Sequence, residues 1–202
     1  MIITELQYFP PVSLFKISFI ETNIVFDIYE PYRKMSFRNR CLIAGANGII
    51  SLSIPLIMGR DQRVPMSEVR IAGSEDWRDR HWKSIQSAYS RSPFFEYYRD
   101  ELAAIYGSGE EKLVDWNLKC LYWVKDKLGW PPEIRLKTEP EKEEWTGSGT
   151  DIRNQVLPKN YMAQPAVRYR QVFEERTGFH PNLSILDLLF NEGAHAGELL
   201  RG

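Results

Sequence analysis

The opening segment, Ile2 to Tyr29, constrains the fold more than any other stretch. Ile2 to Leu6 reads as a short buried strand, and Ile24 to Tyr29, IVFDIY, as a second. Between them, Pro10 and Pro11 suit the entry to a helix marked by Leu14, Phe15, Ile17, Ser18 and Ile20, because proline's fixed φ is already helical. Thr22-Asn23 ends that helix. A strand, a short helix and a strand in so little chain form a βαβ unit, with parallel strands and a right-handed crossover. The loop after the first strand then lies at the carboxyl edge of the sheet, where ligands bind. Gln7, Tyr8 and Phe9 therefore have a positional argument for function, beside the plainer reading that Tyr8 and Phe9 cap the core.

Further along, Ala46-Asn47-Gly48 separates a strand pattern at Phe37 to Ile43 from another at Ile49 to Ile57. Asn-Gly between two such patterns is the strongest short-range hairpin signal. Pro55 marks an edge or a bulge, and Met66 to Ala72 alternates like one more strand. Three helices follow at Ser74 to Arg91, Phe94 to Tyr106 and Lys112 to Leu128, the last stopped by Gly129 and Pro131-Pro132. Thr138 to Asp151, TEPEKEEWTGSGTD, has the composition of a mobile loop. Its GSG lacks the G-x-x-x-x-G-K-[ST] pattern of a phosphate loop. Arg168 to Arg176 reads as a short helix, and Asn182 or Ser184 as the cap of a last one through Ile185, Leu186, Leu189 and Phe190. Ser184 and Asp187 have the spacing of a capping box. The expected fold is a single α/β domain over 1–202: a mixed sheet with a parallel βαβ start and an antiparallel hairpin, covered by helices. The alternative is α+β.

Charge is nearly balanced, at −1, so no global field draws the chain to nucleic acid or an anionic membrane. The exception is local. Arg33, Lys34, Arg38 and Arg40 lie within one stretch, RKMSFRNR, without an acid. On a strand through Phe37 to Ile43, Arg38 and Arg40 share a face and can grip phosphate or carboxylate, with Asn39 between them as a hydrogen-bonding residue. A solvated basic edge is the other reading. Cys41 and Cys120 lie far apart among apolar residues, as buried free thiols do. His81, His180 and His195 have no ligand spacing, so neither a metal nor a cofactor is expected. MIITELQYFP has no basic region followed by an apolar core, and no run approaches the ~20 apolar residues of a membrane span. A cytoplasmic protein is expected.

In SEDWRDRHWKSIQSAYSR, Ser74 is a natural N-cap, with Glu75 and Asp76 following at the positive end of the helix dipole. Trp77, His81, Ile85, Ala88 and Tyr89 recur at helical spacing as a buried stripe. His81 is the odd member. It is either a core imidazole or a proton-transfer group at the floor of a cleft, with Lys83 and Gln86 nearby to bind substrate.

Gln7-Tyr8-Phe9-Pro10, Ser36 to Arg40, His81 to Tyr89, Arg91 to Phe95, Asn117-Leu118, and Asn182 to Ser184 with Asp187 to Gly193 stand together in order. In this the chain resembles the WbqC-like protein family. The resemblance implies work on a nucleotide-linked or lipid-linked sugar in surface polysaccharide or O-antigen assembly, with no catalytic residues carried over. Tyr29-Glu30 stands where relatives often carry paired aspartates. Two functions are then open. In a sugar or acyl transferase, Arg33, Lys34, Arg38 and Arg40 hold a phosphate, His81 is general base, and Gln7, Tyr8 and Asn39 orient the substrate. The alternative is a non-catalytic binding or assembly protein of the same pathway, using the aromatics between Trp77 and Tyr106 as an interface.

Overall fold

The computed structural model describes residues 1–59, 61–73, 76–137 and 149–202. Its elements in chain order are β1 (Ile2–Thr4), α1 (Val12–Ser18), β2 (Asn23–Phe26), β3 (Arg40–Gly45) and β4 (Gly48–Ser53). Then come α2 (Trp77–Tyr89), α3 (Phe95–Tyr106), α4 (Leu113–Leu128), β5 (Glu133–Leu136), β6 (Thr150–Asp151), α5 (Glu174–Thr177), α6 (Ile185–Glu192) and α7 (Ala196–Arg201).

The βαβ start is present, with β1 and β2 parallel and Ile2 opposite Ile24. It seeds a four-stranded, wholly parallel sheet in the order β5-β2-β1-β6. Ile2, Ile3, Ile24, Val25 and Phe26 are all buried, as expected of parallel strands covered on both faces. The chain steps outward from β1 to β2 to β5, then returns to the other flank of β1 with β6. The direction of winding therefore reverses between β1 and β6, which makes their carboxyl ends the switch point of the sheet.

The hairpin forms its own ladder, β3 against β4, with Gly45 paired to Gly48 and Ala46-Asn47 as a two-residue turn. Gly48 has φ +117°, a conformation other residues rarely adopt. The free edge of β3 is tied to the helices: the Leu42 carbonyl accepts from Ser184 N (2.7 Å), and Ala44 N donates to the Tyr89 hydroxyl (3.0 Å).

Several local expectations shift. Met66 to Ala72 is a 3-10 turn at Met66–Glu68 followed by single bridges at Arg70 and Ile71, because Pro65 starts a turn there. The expected helix over 168–176 shrinks to α5. β5 was not foreseen. Ile134 and Leu136 alternate with Glu133 and Arg135 just after Pro132, a faint period-two signal. The expected mobile loop falls largely outside the described residues; its end, Thr150–Asp151, is β6. The Ser74 cap and Glu75 also lie outside the described residues. Ser184 is the cap of α6, accepting from Leu186 N and donating to the Phe9 carbonyl. Asp187 does not complete a capping box, because its carboxylate turns into the core. No described helix is long and apolar enough to cross a membrane.

Candidate functional site

Each strand of the parallel sheet delivers a charged side chain just beyond its carboxyl end. Glu5 follows β1, Asp27 follows β2, Lys137 follows β5 and Arg153 follows β6. Hydrogen bonds knit them together. Asp27 Oδ1 accepts from the backbone N–H groups of Tyr29 (3.0 Å) and Glu30 (3.1 Å), while Oδ2 accepts from Arg153 Nη1 (2.5 Å) and Lys137 Nζ (3.4 Å). Glu5, fully buried, accepts from Gln7 Nε2 (2.9 Å) through Oε1 and from Asn154 N (2.9 Å) through Oε2. Asn154 has φ +60°, which asparagine tolerates. That turn lets its amide face Glu5 while its Oδ1 accepts from Arg38 Nη2 (2.9 Å). Arg38 also donates through Nε to Glu30 (3.0 Å) and ion-pairs with it through Nη2.

Three carboxylates and a guanidinium are thus sequestered where water is scarce. Burial holds the Glu30 carboxyl above the usual carboxylate range, opposed but not reversed by the Arg38 charge. Gln7 Oε1, Arg38 Nη1 and Asn117 Oδ1 are buried without a hydrogen-bond partner among the described residues. Asn117, on α4, donates from Nδ2 to the Arg38 carbonyl (2.8 Å). Unsatisfied buried polar atoms are costly in a finished core and recur where a ligand or water completes the pattern.

The sequence-predicted residues divide. Gln7 and Arg38 belong to this network. Arg38 is not on a strand face beside Arg40, because β3 begins only at Arg40 and the Arg38 side chain turns inward to Glu30. Arg40 is half-buried in β3, and Asn39 is used structurally, accepting from Tyr32 Oη (3.0 Å) and donating to the Ile54 carbonyl (2.8 Å). Arg33 and Lys34 are exposed, with Lys34 paired to Asp61. Lys83 is exposed and paired to Asp79 one turn earlier; Gln86 is half-buried on α2.

His81 follows the core reading of the two. The residue is 6% exposed, its ring edge-on to Trp77 at 5.1 Å, with Nδ1 3.1 Å from the Tyr8 hydroxyl. Tyr8, fully buried, also bonds the Tyr106 hydroxyl. Burial lowers the His81 pKa to about 4, against the pull of a backbone hydrogen bond to Ser53. This is a neutral core imidazole in an aromatic cluster, and Tyr8 is a core residue with it. Asp27, Lys137, Arg153 and Asn154 were missed. The clearest signal was Asp27 itself, a lone charge at the end of the apolar run IVFDIY.

The chain is an α/β protein with charged residues gathered at the switch point of its parallel sheet, the place where ligands bind in open α/β sheets. The chain belongs to the WbqC-like protein family, whose family model matches residues 7–166. It is similar to the uncharacterized protein Rv1507c of Mycobacterium tuberculosis, 29% identical over 227 residues covering 98% of this chain and 96% of that protein. No solved structure matches significantly.

Proposed function

We propose that the chain is a transferase acting on a nucleotide- or lipid-linked sugar in surface polysaccharide biosynthesis of the O-antigen type, working at the carboxyl edge of the parallel sheet. The observation that supports this is the delivery of Glu5, Asp27, Lys137 and Arg153 to one edge by the ends of four neighbouring parallel strands. Arg153 and Lys137 are the cations nearest solvent there, suited to a donor phosphate and to the charge that grows on it as it leaves. Glu30, with its raised pKa, takes the proton of an attacking hydroxyl or amine. The bond from the sugar carbon to the phosphate oxygen breaks, the bond to the acceptor forms, and the phosphate departs as an anion. Arg38 and Asn154 hold Glu30 and Glu5 in position, and Gln7 offers a free amide oxygen to the substrate.

Calorimetry against a panel of nucleotide-sugars and prenyl-diphosphate sugars tests the reading. Saturable heat that free nucleoside diphosphate does not compete away is expected with at least one compound, weakened tenfold or more by Arg153→Gln while the melting temperature stays within a few degrees. Glu30→Gln is expected to keep binding and lose turnover. No heat with any compound, alongside a stable complex with an envelope-glycan enzyme in pull-down, rejects catalysis in favour of the assembly role.

A further inference from the structure

At the opposite end of the hairpin, two cavities meet at Phe173. One, of about 640 Å3, is walled by Arg91, Arg170, Arg176 and Asn191; the other, of about 310 Å3, by Lys83, Ser84 and Ser87 of α2. Phe173 is half-buried and belongs to both walls. The larger volume falls within the range of small-ligand sites.

The charges in this groove are poorly compensated. Arg91 is exposed and has no ion-pair or hydrogen-bond partner among the described residues. Arg176 donates to a neutral group, Asn47 Oδ1 at 2.9 Å, across the hairpin turn. Arg170 pairs with Glu175 at 2.9 Å, but both side chains are more than four-fifths exposed, where such a pair contributes little. Arg168, by contrast, is committed to Glu174 and lies over Phe179. Three guanidiniums against one carboxylate, around an aromatic ring, form a receptor for an anion that carries a flat group. Guanidiniums take phosphate oxygens in pairs, and a ring face takes a base by stacking.

We propose that this groove binds a nucleoside diphosphate, with Arg91 and Arg176 on the diphosphate and Phe173 against the base. The site is distinct from the sheet edge. Strand β3 runs from Arg40, two residues past Arg38, to Gly45 in the groove wall; six strand residues span roughly 17 Å at ~3.3 Å each. The inference stands on the groove alone and does not rest on the transferase reading.

Calorimetry on the full chain with UDP, ADP, inorganic pyrophosphate and free uridine tests it. A nucleoside diphosphate is expected to bind more tightly than pyrophosphate, and uridine not measurably. Arg91→Gln and Arg176→Gln, both at exposed positions, should each weaken binding at least tenfold, and Phe173→Leu should erase the advantage over pyrophosphate. Arg153→Gln at the sheet edge should leave this binding unchanged. Absence of binding, equal binding of pyrophosphate, or binding that survives both arginine variants overturns the proposal. Loss with Arg153→Gln alone also overturns it, by moving the nucleotide to the sheet edge and leaving the transferase reading intact.

Discussion

Acidification sets His81 against its surroundings. In an unfolded chain the imidazole titrates near 6.5; in the fold, burial moves it to about 4. At ~1.36 kcal/mol per tenfold change in proton affinity, the difference makes protonation of the folded state cost roughly 3 kcal/mol. As pH falls, the unfolded chain takes the proton first. Stability should therefore begin to drop near pH 6.5, fall through the interval, and level off below about pH 4, where both forms are protonated. Carboxylates also titrate in that window, so the informative quantity is a difference between two proteins. His81→Gln keeps a polar group near the Tyr8 hydroxyl and removes the titration. Urea unfolding followed by tryptophan fluorescence at pH 7, 6, 5 and 4 should show the variant gaining ground on the native protein by roughly 3 kcal/mol from pH 7 to pH 4. A gap that stays constant within ~0.5 kcal/mol, or a His81 ring resonance that titrates above pH 6, would mean that the imidazole meets solvent and that the buried arrangement is wrong.

Two further tests probe the frame around the site. Asp187 accepts from Tyr89 Oη (2.7 Å), Tyr169 Oη (2.6 Å) and Gln171 Nε2 (2.8 Å) in full burial. Asp187→Ala strands three donors at ~1–3 kcal/mol each and should cost at least ~3 kcal/mol in denaturant unfolding; a loss below ~1 kcal/mol would contradict the network. Gly197 of α7 has the Leu128 carbonyl oxygen 2.5 Å from where a Cβ would sit, so Gly197→Ala should cost ~1–3 kcal/mol. Gly109→Ala, with nothing within 4 Å, should change stability by less than ~0.5 kcal/mol.

What could be read from the chain followed the range of the forces involved. The βαβ start, the Asn-Gly hairpin and the stripe of α2 are local patterns, and each is present. The candidate site depended on contacts across long stretches of chain. Arg38 meets Asn154, and Asp27 meets Arg153, only after β6 has returned beside β1. No periodicity encodes that return through so short a strand. His81 illustrates the same limit: its place on the apolar stripe beside Trp77 was visible, but its enclosure by Tyr8 and Tyr106 comes from the loop after β1 and from α3. Asp187 fitted a capping pattern by spacing, and only the approach of Tyr89 and Tyr169 turned it inward.

Stability alone does not account for so much charge at one end of the sheet. Replacing a buried ion pair with apolar residues is often neutral or stabilising, while losing one partner typically costs about 3–5 kcal/mol. Glu30–Arg38, with 9% and 0% of the two side chains exposed, is therefore a constraint more than a source of stability. Such constraints suit a site whose polar groups must be oriented before a substrate arrives. The loop after β1 has the matching construction. Gln7 joins Glu5 in the polar network, while the next residue, Tyr8, is locked into the core by His81 and Tyr106. Adjacent residues thus divide the work of presenting a group and fixing its backbone. The imidazole helps to fix the backbone of that loop through its contact with Tyr8.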